Sequence, residues 1–115
     1  MRYIALIYGD ETWFDRQSEA DRAAHLARWD AYSAELQTAG AVRGGARLQP
    51  TPQARSVRQQ RGGPLVSDGP FAETREQLCG FLELEADDLD AAVAWAERCP
   101  ASLYGTVEVR PVMPE

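Results

Sequence analysis

His25 is the only histidine in the chain. It is the side chain best suited to proton transfer near neutral pH, because an unperturbed imidazole has a pKa of about 6.5. A carboxylate hydrogen-bonded to one ring nitrogen would fix the tautomer and stabilise the imidazolium. Asp68 is the best candidate, since Gly69 and Pro70 hold it in a tight loop at the end of a predicted strand. We therefore predict that His25 and Asp68 form a catalytic acid–base pair in one pocket. His25 also fits the margin of an amphipathic helix, with the tip of its ring in water.

The loop after Asp68 and the end of the first predicted strand supply candidate substrate-binding residues. Short loops held on a rigid sheet commonly border pockets. An alternative role for this loop is structural, with the Asp bonding backbone amides, the Gly and Pro shaping the turn, and the Phe filling the core. Trp29 fits either the border of the pocket or the core. The predicted binding residues are Tyr8, Asp10, Gly69, Pro70 and Phe71.

The sequence lacks the motifs of several enzyme classes. It has no Gly-rich phosphate loop, no G-x-S-x-G elbow and no H-E-x-x-H helix, so nucleotide, serine-hydrolase and zinc-protease chemistry have no support. Cys79 and Cys99 form no C-x-x-C pair, and we predict neither a metal site nor a cofactor. Two classes of function remain. The first is a small metal-free acid–base enzyme of the lyase or isomerase kind, acting on a small polar or aromatic molecule. The second is a noncatalytic module that binds a small ligand or a partner protein in a regulatory pathway.

The elements that position these residues follow from apolar spacing and capping residues. The first strand is apolar on both faces, which is typical of a strand covered on both sides. Ser18 and Asp21 predict the start of a helix, and Gly40 predicts its end. The apolar stripe predicted for this helix is Leu26, Trp29, Ser33 and Leu36. The predicted elements are a strand at 2–8, a helix at 18–39, a strand at 42–48, a hairpin of 55–59 with 64–67, a strand at 79–86, a helix capped by Asp87 or Asp88, and a strand at 106–110.

This order predicts an α+β, ferredoxin-like fold with an inserted β-hairpin. Both helices then cover one face of an antiparallel sheet, and the doubly apolar first strand leaves the other face in need of a cover. A second copy of the same sheet is the simplest cover, so we predict a homodimer. The length of 115 residues fits a single domain over 1–115.

Composition and charge limit the partners and the location. The chain is 44% hydrophobic and 26% charged, close to the average of soluble globular proteins. Its net charge of -6 disfavours binding to phosphate backbones. Its Arg-rich stretch at 43–61 has no interleaved aromatic residues and fits either a solvated strand-and-turn surface or an anion-binding rim. No apolar run reaches the length of a membrane span, and the N-terminus passes into a strand rather than a signal peptide. We expect a cytoplasmic protein that binds neither nucleic acid nor membranes.

The segment from Asp68 to Phe81, DGPFAETREQLCGF, resembles the signature of the YCII-related, or DGPF-domain, proteins. The opening MRYIALIYGD and the closing YGTVEVRP also look like theirs, so the resemblance covers nearly the whole chain. It implies a dimeric α+β barrel, in agreement with the fold derived above. For function, many members look like neighbours of extracytoplasmic-function sigma factor genes. Some relatives in the wider group are lyase-like enzymes that eliminate chloride from hydroxylated aromatic rings.

One branch of this family has a His within an R-x-x-H-L-x-x-[LW] segment, which is proposed to pair with an Asp as acid and base. Residues 22–29, RAAHLARW, match that segment, so the resemblance implies a catalytic role for His25. The branch also has an acidic residue near the end of the first helix, and residues 36–39 offer none. Asp68 or Asp10 would have to replace that carboxylate. Cys79 stands where the family has Gly, which raises the case of a thiol facing the pocket.

Overall fold

The chain forms six strands and two helices, and the computed structural model describes all of residues 1–115. The strands are β1 (Arg2–Gly9), β2 (Val42–Arg47), β3 (Arg55–Gln60), β4 (Gly63–Asp68), β5 (Gln77–Glu85) and β6 (Thr106–Pro111), and the helices are α1 (Glu19–Thr38) and α2 (Leu89–Arg98). Short 3-10 turns occupy Phe14–Arg16, Thr51–Gln53 and Pro100–Leu103. Neither helix is both long enough and apolar enough to cross a membrane.

Four strands form one antiparallel sheet in the order β2-β5-β1-β6. Its register places Tyr3 opposite Leu84, and Ala5 opposite both Leu82 and Val109. These side chains share the face that the helices cover, where Tyr3, Ala5 and Leu84 join the buried core. The prediction of an α+β, ferredoxin-like fold is confirmed.

The helix boundaries follow the capping residues. The Ser18 side chain accepts a hydrogen bond from the Asp21 N–H at 3.1 Å, and the Asp88 carboxylate accepts one from the Ala91 N–H at 2.8 Å. Each satisfies an N–H group that the first turn leaves without an intrahelical partner. Gly40 follows α1 with a φ of 66°, the left-handed conformation that ends a helix at little cost in glycine.

The buried face of α1 differs from the predicted stripe. Tyr32 and Leu36 are its buried residues, whereas Leu26 is 47% exposed and Ser33 is exposed. Trp29 packs against the core. The inward line therefore runs through positions 25, 29, 32 and 36, which are four, three and four residues apart and stack along one side of a helix. The buried face of α1 is thus turned about the helix axis relative to the predicted stripe. As a result, His25 lies on the inward line of the helix rather than at its margin.

The other face of the sheet carries the alternate residues of β1. Ile4 lies opposite Glu83, and Leu6 lies opposite Phe81. Ile4 and Leu6 stay partly exposed although β1 is a central strand with neighbours on both sides. This open face is the one through which dimerisation is predicted, and the dimer itself stays a prediction.

Strands β3 and β4 form a separate two-stranded sheet, the arm, as predicted for the inserted hairpin. Its register pairs Val57 with Val66, and both side chains are exposed. The radius of gyration is 16.3 Å, against about 13 Å expected for a compact chain of this length. The projecting arm accounts for this extended shape.

Candidate functional site

A cavity of about 490 Å³ lies between α1 and the four-stranded sheet. The end of β1 and the residues after it form one wall, α1 forms the second, and the turn after α2 forms the third. Parts of β2 and β5 form its floor. Most of the lining side chains are hydrophobic, and several are aromatic. A volume of a few hundred Å³ with few polar groups is typical of a small-molecule site.

Gly105 sets how closely the third wall approaches β1. A Cβ atom at this position would lie 2.1 Å from the Tyr8 carbonyl oxygen, a distance that no real side chain tolerates. Glycine therefore allows the turn after α2 to rest directly on the backbone of β1. That contact places Tyr104, the preceding residue, in the lining of the cavity.

His25 projects from α1 into this lining and takes its hydrogen bond from a tryptophan one turn later. The Trp29 indole N–H donates to His25 Nε2 at 3.1 Å. Since Nε2 acts as an acceptor, the neutral imidazole carries its proton on Nδ1. Nδ1 is buried and has no hydrogen-bond partner. A buried donor without an acceptor costs about 1–3 kcal/mol, so Nδ1 is the polar atom of this cavity that most needs a partner.

The surroundings of His25 lower the pKa of its imidazole below the ordinary value of 6.5. Burial is the largest cause, because it penalises the charged form, and the positive charges of Arg28 and Arg47 act in the same direction. The ring is therefore neutral at pH 7. In this state the Nε2 lone pair is engaged by Trp29 and the free function of the ring is hydrogen-bond donation from Nδ1.

Three aromatic rings surround His25, and we call Trp13, Phe14 and Tyr104 the aromatic box. Trp13 and Tyr104 stack with centroids 4.0 Å apart. The imidazole meets both rings edge-on, with centroid separations of 5.1 Å to Trp13 and 5.6 Å to Tyr104. The Phe14 ring lies at 6.2 Å. These rings lie around the imidazole whose Nδ1 is buried, and they offer flat apolar surfaces to a planar ligand.

Asp10 lines the same cavity but is not paired with His25. One carboxylate oxygen accepts hydrogen bonds from the N–H and the hydroxyl of Thr12, and the other accepts one from Arg16 at 2.7 Å. The bonds from Thr12 are the main causes that lower the pKa of Asp10, and Arg16 adds to them. Asp10 is therefore an ionised residue that orders the turn after β1. Tyr8 also lines the cavity, and the ligand-binding roles of both residues stay predictions.

Cys79 also lies in the cavity lining, at the position where the resemblance to the family signature suggested a thiol facing a pocket. Its thiol points to the carbonyl oxygens of Gln77 at 3.3 Å and Gly9 at 3.6 Å. Burial raises the pKa of Cys79, and the negative charge of Glu11 adds to the rise. A thiol in this state is protonated at neutral pH and is a poor nucleophile. No group of three His, Cys, Asp or Glu side chains gathers to hold a metal ion.

Asp68 lies away from this cavity, so the predicted His25–Asp68 pair is not formed within the chain. The Asp68 side chain is 90% exposed and forms an ion pair with Arg55 at 3.1 Å. The reason is topological: Asp68 ends β4 in the arm, whereas α1 covers the four-stranded sheet.

The residues after Asp68 follow the arm as well. The Gly69 N–H donates to the Ala54 carbonyl at 2.7 Å, and the Gly69 carbonyl accepts a hydrogen bond from Ser56. The loop is thus tied to the base of the arm. Phe71 is 87% exposed, so the alternative in which it fills the core is wrong for the single chain. Gly69, Pro70 and Phe71 do not line the cavity of His25.

The sequence prediction missed three residues that define the site: Trp13, Phe14 and Tyr104. Adjacent Trp and Phe residues in a connection are a signal of a binding wall. Tyr104 carries no such signal, because only the folded sheet brings its segment next to α1. Arg47 belongs to the Arg-rich stretch for which an anion-binding rim was one alternative, and the structure places it in the cavity lining.

A second space of about 430 Å³ adjoins the first. It extends toward the turn that follows β2 and contains Glu11, Leu48, Gln49 and Pro50. The residues common to both spaces are Asp10, Trp13, Phe14, Arg47 and Cys79. The apolar cavity around His25 therefore continues into a more polar one, with Arg47 lining both.

Three comparisons relate the chain to known proteins. The YCII-related domain matches residues 1–115. An uncharacterized protein of Rhizobium meliloti is 35% identical over 114 residues, which cover 97% of this chain and 92% of that protein. Among solved structures, the 5-chloro-2-hydroxyhydroquinone dehydrochlorinase of Burkholderia phenoliruptrix, in complex with 2,5-dihydroxybenzoquinone, superposes with a TM-score of 0.57 at 16% identity. That match covers 98% of this chain and 94% of the dehydrochlorinase. It shows that the two chains share a fold.

Proposed function

Since the chain belongs to the YCII-related domain family, we propose that its cavity binds one small planar molecule that carries ring oxygens. We further propose that the chain acts on this molecule as a metal-free acid–base enzyme of the lyase or isomerase kind. The observation that carries the proposal is the buried, unpartnered Nδ1 of the only histidine, at the edge of stacked aromatic rings. A carbonyl or ionised hydroxyl oxygen of the ligand would supply the missing acceptor.

The chemistry available to His25 in this state is polarisation of that oxygen. A neutral imidazole with a lowered pKa can donate to a carbonyl oxygen and stabilise the negative charge that develops when a neighbouring C–H proton is transferred to a solvent water molecule. Arg28 supports this role from the rim, because its guanidinium donates to the Tyr104 hydroxyl at 3.2 Å. Positive charge next to the cavity favours a transition state that gains negative charge.

The size of the cavity suits a ligand with a single ring. The structural neighbour is named as a dehydrochlorinase and holds 2,5-dihydroxybenzoquinone, and the two chains share the fold. The quinone is therefore a rational first probe for this chain, since it is planar and presents oxygens at its ring edge.

The decisive experiment measures binding of 2,5-dihydroxybenzoquinone by calorimetry to the wild-type chain, to His25→Phe, and to Ser33→Ala as a matched control on the exposed side of α1. Phe keeps a flat ring among the aromatic box and removes both ring nitrogens. We expect affinity to fall about tenfold in His25→Phe, the loss of one hydrogen bond of roughly 1.4 kcal/mol, and to stay unchanged in Ser33→Ala. Equal affinity in all three proteins would remove His25 from the site.

A second candidate function is a noncatalytic ligand-binding module, and one observation favours it. No carboxylate contacts His25, because Asp10 is bound to Thr12 and Arg16, and Asp68 lies in the arm. The ring therefore lacks the orienting partner of a general base. Analysis of the bound compound by NMR after prolonged incubation separates the two functions. In deuterated buffer, exchange of a ring proton of the compound that is faster with the protein than without it supports the enzyme, and an unchanged exchange rate supports the module.

We also propose that the chain functions as a homodimer through the open face of the sheet. Ile4 and Leu6 support this proposal, because they are apolar, central in the sheet and only partly covered. Closed two-fold dimers are the commonest way to bury such a face.

A further inference from the structure

The charged side chains that line the two adjoining spaces are Asp10, Glu11 and Arg47. Both carboxylates are already bound within the chain. Asp10 accepts from Thr12 and Arg16, and the two oxygens of Glu11 accept from the N–H and the hydroxyl of Thr51. Both acids keep their negative charge, and neither forms an ion pair with Arg47.

Arg47 is the charged group that remains. Its side chain forms none of the ion pairs and none of the side-chain hydrogen bonds of the structure. It lies opposite Gly80 in the β2–β5 register. Glycine has no side chain that could cover the arginine from this neighbouring position. The guanidinium is therefore available at the point where the apolar cavity opens into the polar space.

The charged groups that act on His25 are both positive. Arg47 and Arg28 both act on the imidazole with positive charge, and no carboxylate is among the groups that act on it. The other groups that face the ring are the uncharged Trp13, Phe14 and Tyr104. A guanidinium without an ion pair at the margin of an apolar space favours an anion over a neutral molecule.

From this arrangement we infer that the ligand of the proposed site is a small aromatic carboxylate, with its ring in the aromatic box and its carboxylate on Arg47. The inference rests on the proposed function for the position of the ring and adds the charged end of the ligand. A guanidinium can bind a carboxylate through two parallel N–H···O bonds, which fixes orientation as well as affinity. The two adjoining spaces, of about 490 and 430 Å³, have room for a ring with an acidic substituent, whereas a bare ring would leave the space beside Arg47 unused.

The test uses two probes that differ only in the carboxylate: 2,5-dihydroxybenzoate and hydroquinone. Calorimetry measures each probe against the wild-type chain, Arg47→Gln and Arg58→Gln. Arg58 is the matched control, because it is an exposed arginine on the arm with no ion pair, and its substitution removes the same charge. We expect the wild-type chain to bind the benzoate at least tenfold more tightly than hydroquinone, since charge-assisted bonds are about twice as strong as neutral ones. Arg47→Gln should abolish that difference and leave hydroquinone binding unchanged, and Arg58→Gln should preserve it.

Salt provides a second measurement. Raising the ionic strength from about 0.1 M to 1 M shortens the screening length from about 10 Å to 3 Å, so the preference for the benzoate should shrink in the wild-type chain and be absent in Arg47→Gln.

The failures of the two proposals are distinguishable. If both probes bind wild type with equal affinity and Arg47→Gln changes neither, the carboxylate inference is overturned and the ring site stands. If the benzoate preference depends on Arg47 but His25→Phe leaves both affinities unchanged, the anion site stands and the proposed role of His25 fails. If neither probe binds wild type at millimolar concentration, both are overturned.

Discussion

Replacing Trp29 by Phe isolates the hydrogen bond that defines the state of His25. The indole N–H donates to His25 Nε2 at 3.1 Å, and Phe retains a ring against the core while it removes the donor. Protonation of the imidazole places a hydrogen on Nε2 and breaks this bond. The bond therefore stabilises the neutral ring, and its removal raises the pKa of His25.

The size of the change follows from the strength of one hydrogen bond. A hydrogen bond makes a net contribution of about 0.5–1.5 kcal/mol, and Trp29→Phe removes that stabilisation from the neutral imidazole alone, so the pKa of His25 rises. Burial and the charges of Arg28 and Arg47 persist in the variant and continue to lower the pKa. The wild-type chain should titrate below 6.5, and the variant should titrate at a higher pH than wild type.

The assay is a proton NMR titration between about pH 4 and pH 8, the range that brackets an ordinary imidazole. A single histidine gives one set of imidazole signals, so the assignment needs no further labelling. Trp95→Phe is the matched control, because Trp95 packs against Tyr32 and Arg98 rather than His25. A wild-type midpoint at or above 6.5, or equal midpoints in wild type and Trp29→Phe, would refute the hydrogen-bond assignment.

The same pKa shift makes stability depend on pH. The folded chain holds the pKa of His25 below the value of about 6.5 expected when unfolded, so the unfolded state binds more protons between these two values. Stability from this group is then fully present above pH 6.5 and is lost as the pH falls through the folded pKa. Trp29→Phe raises the folded pKa of His25 toward its unfolded value and so narrows the pH range between the two. The stability that this variant loses in acid should therefore be smaller than the stability that wild type loses.

Two further predictions concern packing. Gly105→Ala should lower the free energy of unfolding by about 1–3 kcal/mol, because its Cβ would lie 2.1 Å from the Tyr8 oxygen; an unchanged urea midpoint would contradict the close contact. The wild-type chain should sediment as a dimer at micromolar concentration and Leu6→Glu as a monomer, since the substitution puts a charge on the open face of the sheet; a monomeric wild-type chain with an intact fold would contradict the dimer.

Elements with local signals were predicted well from the sequence. The caps at Ser18 and Asp88 and the alternation in β1, β5 and β6 depend on residues within one turn or one strand of each other, and the structure places each element close to the predicted bounds. The hairpin at 55–67 followed from its Arg-Gly-Gly turn in the same way. In these cases the information that decides the structure lies within a few residues.

The site depended on contacts between segments that are remote in sequence. Trp13, His25 and Tyr104 meet because the β1–α1 connection, helix α1 and the α2–β6 connection converge over one end of the sheet. Residue spacing carries no measure of that convergence. The pairing of His25 with Asp68 failed for the same reason: a strand end was predicted correctly for Asp68, but that strand belongs to the arm. Likewise, the observed buried face of α1 differs from the predicted stripe by part of a helical turn, and this difference places His25 on the inward side.

The environment of His25 changes which reactions the site could favour. The sequence alone suggests a general acid or base, because an imidazole with a nearby carboxylate exchanges protons readily near neutral pH. The fold instead engages Nε2 with an indole N–H, leaves Nδ1 as a donor, and brings the positive charges of Arg28 and Arg47 close enough to act on the ring. Each of these features stabilises negative charge on a bound molecule, and none stabilises positive charge. A reaction that passes through an oxyanion on the ligand is therefore lowered in energy here, whereas one that requires a cationic intermediate gains nothing from this cavity.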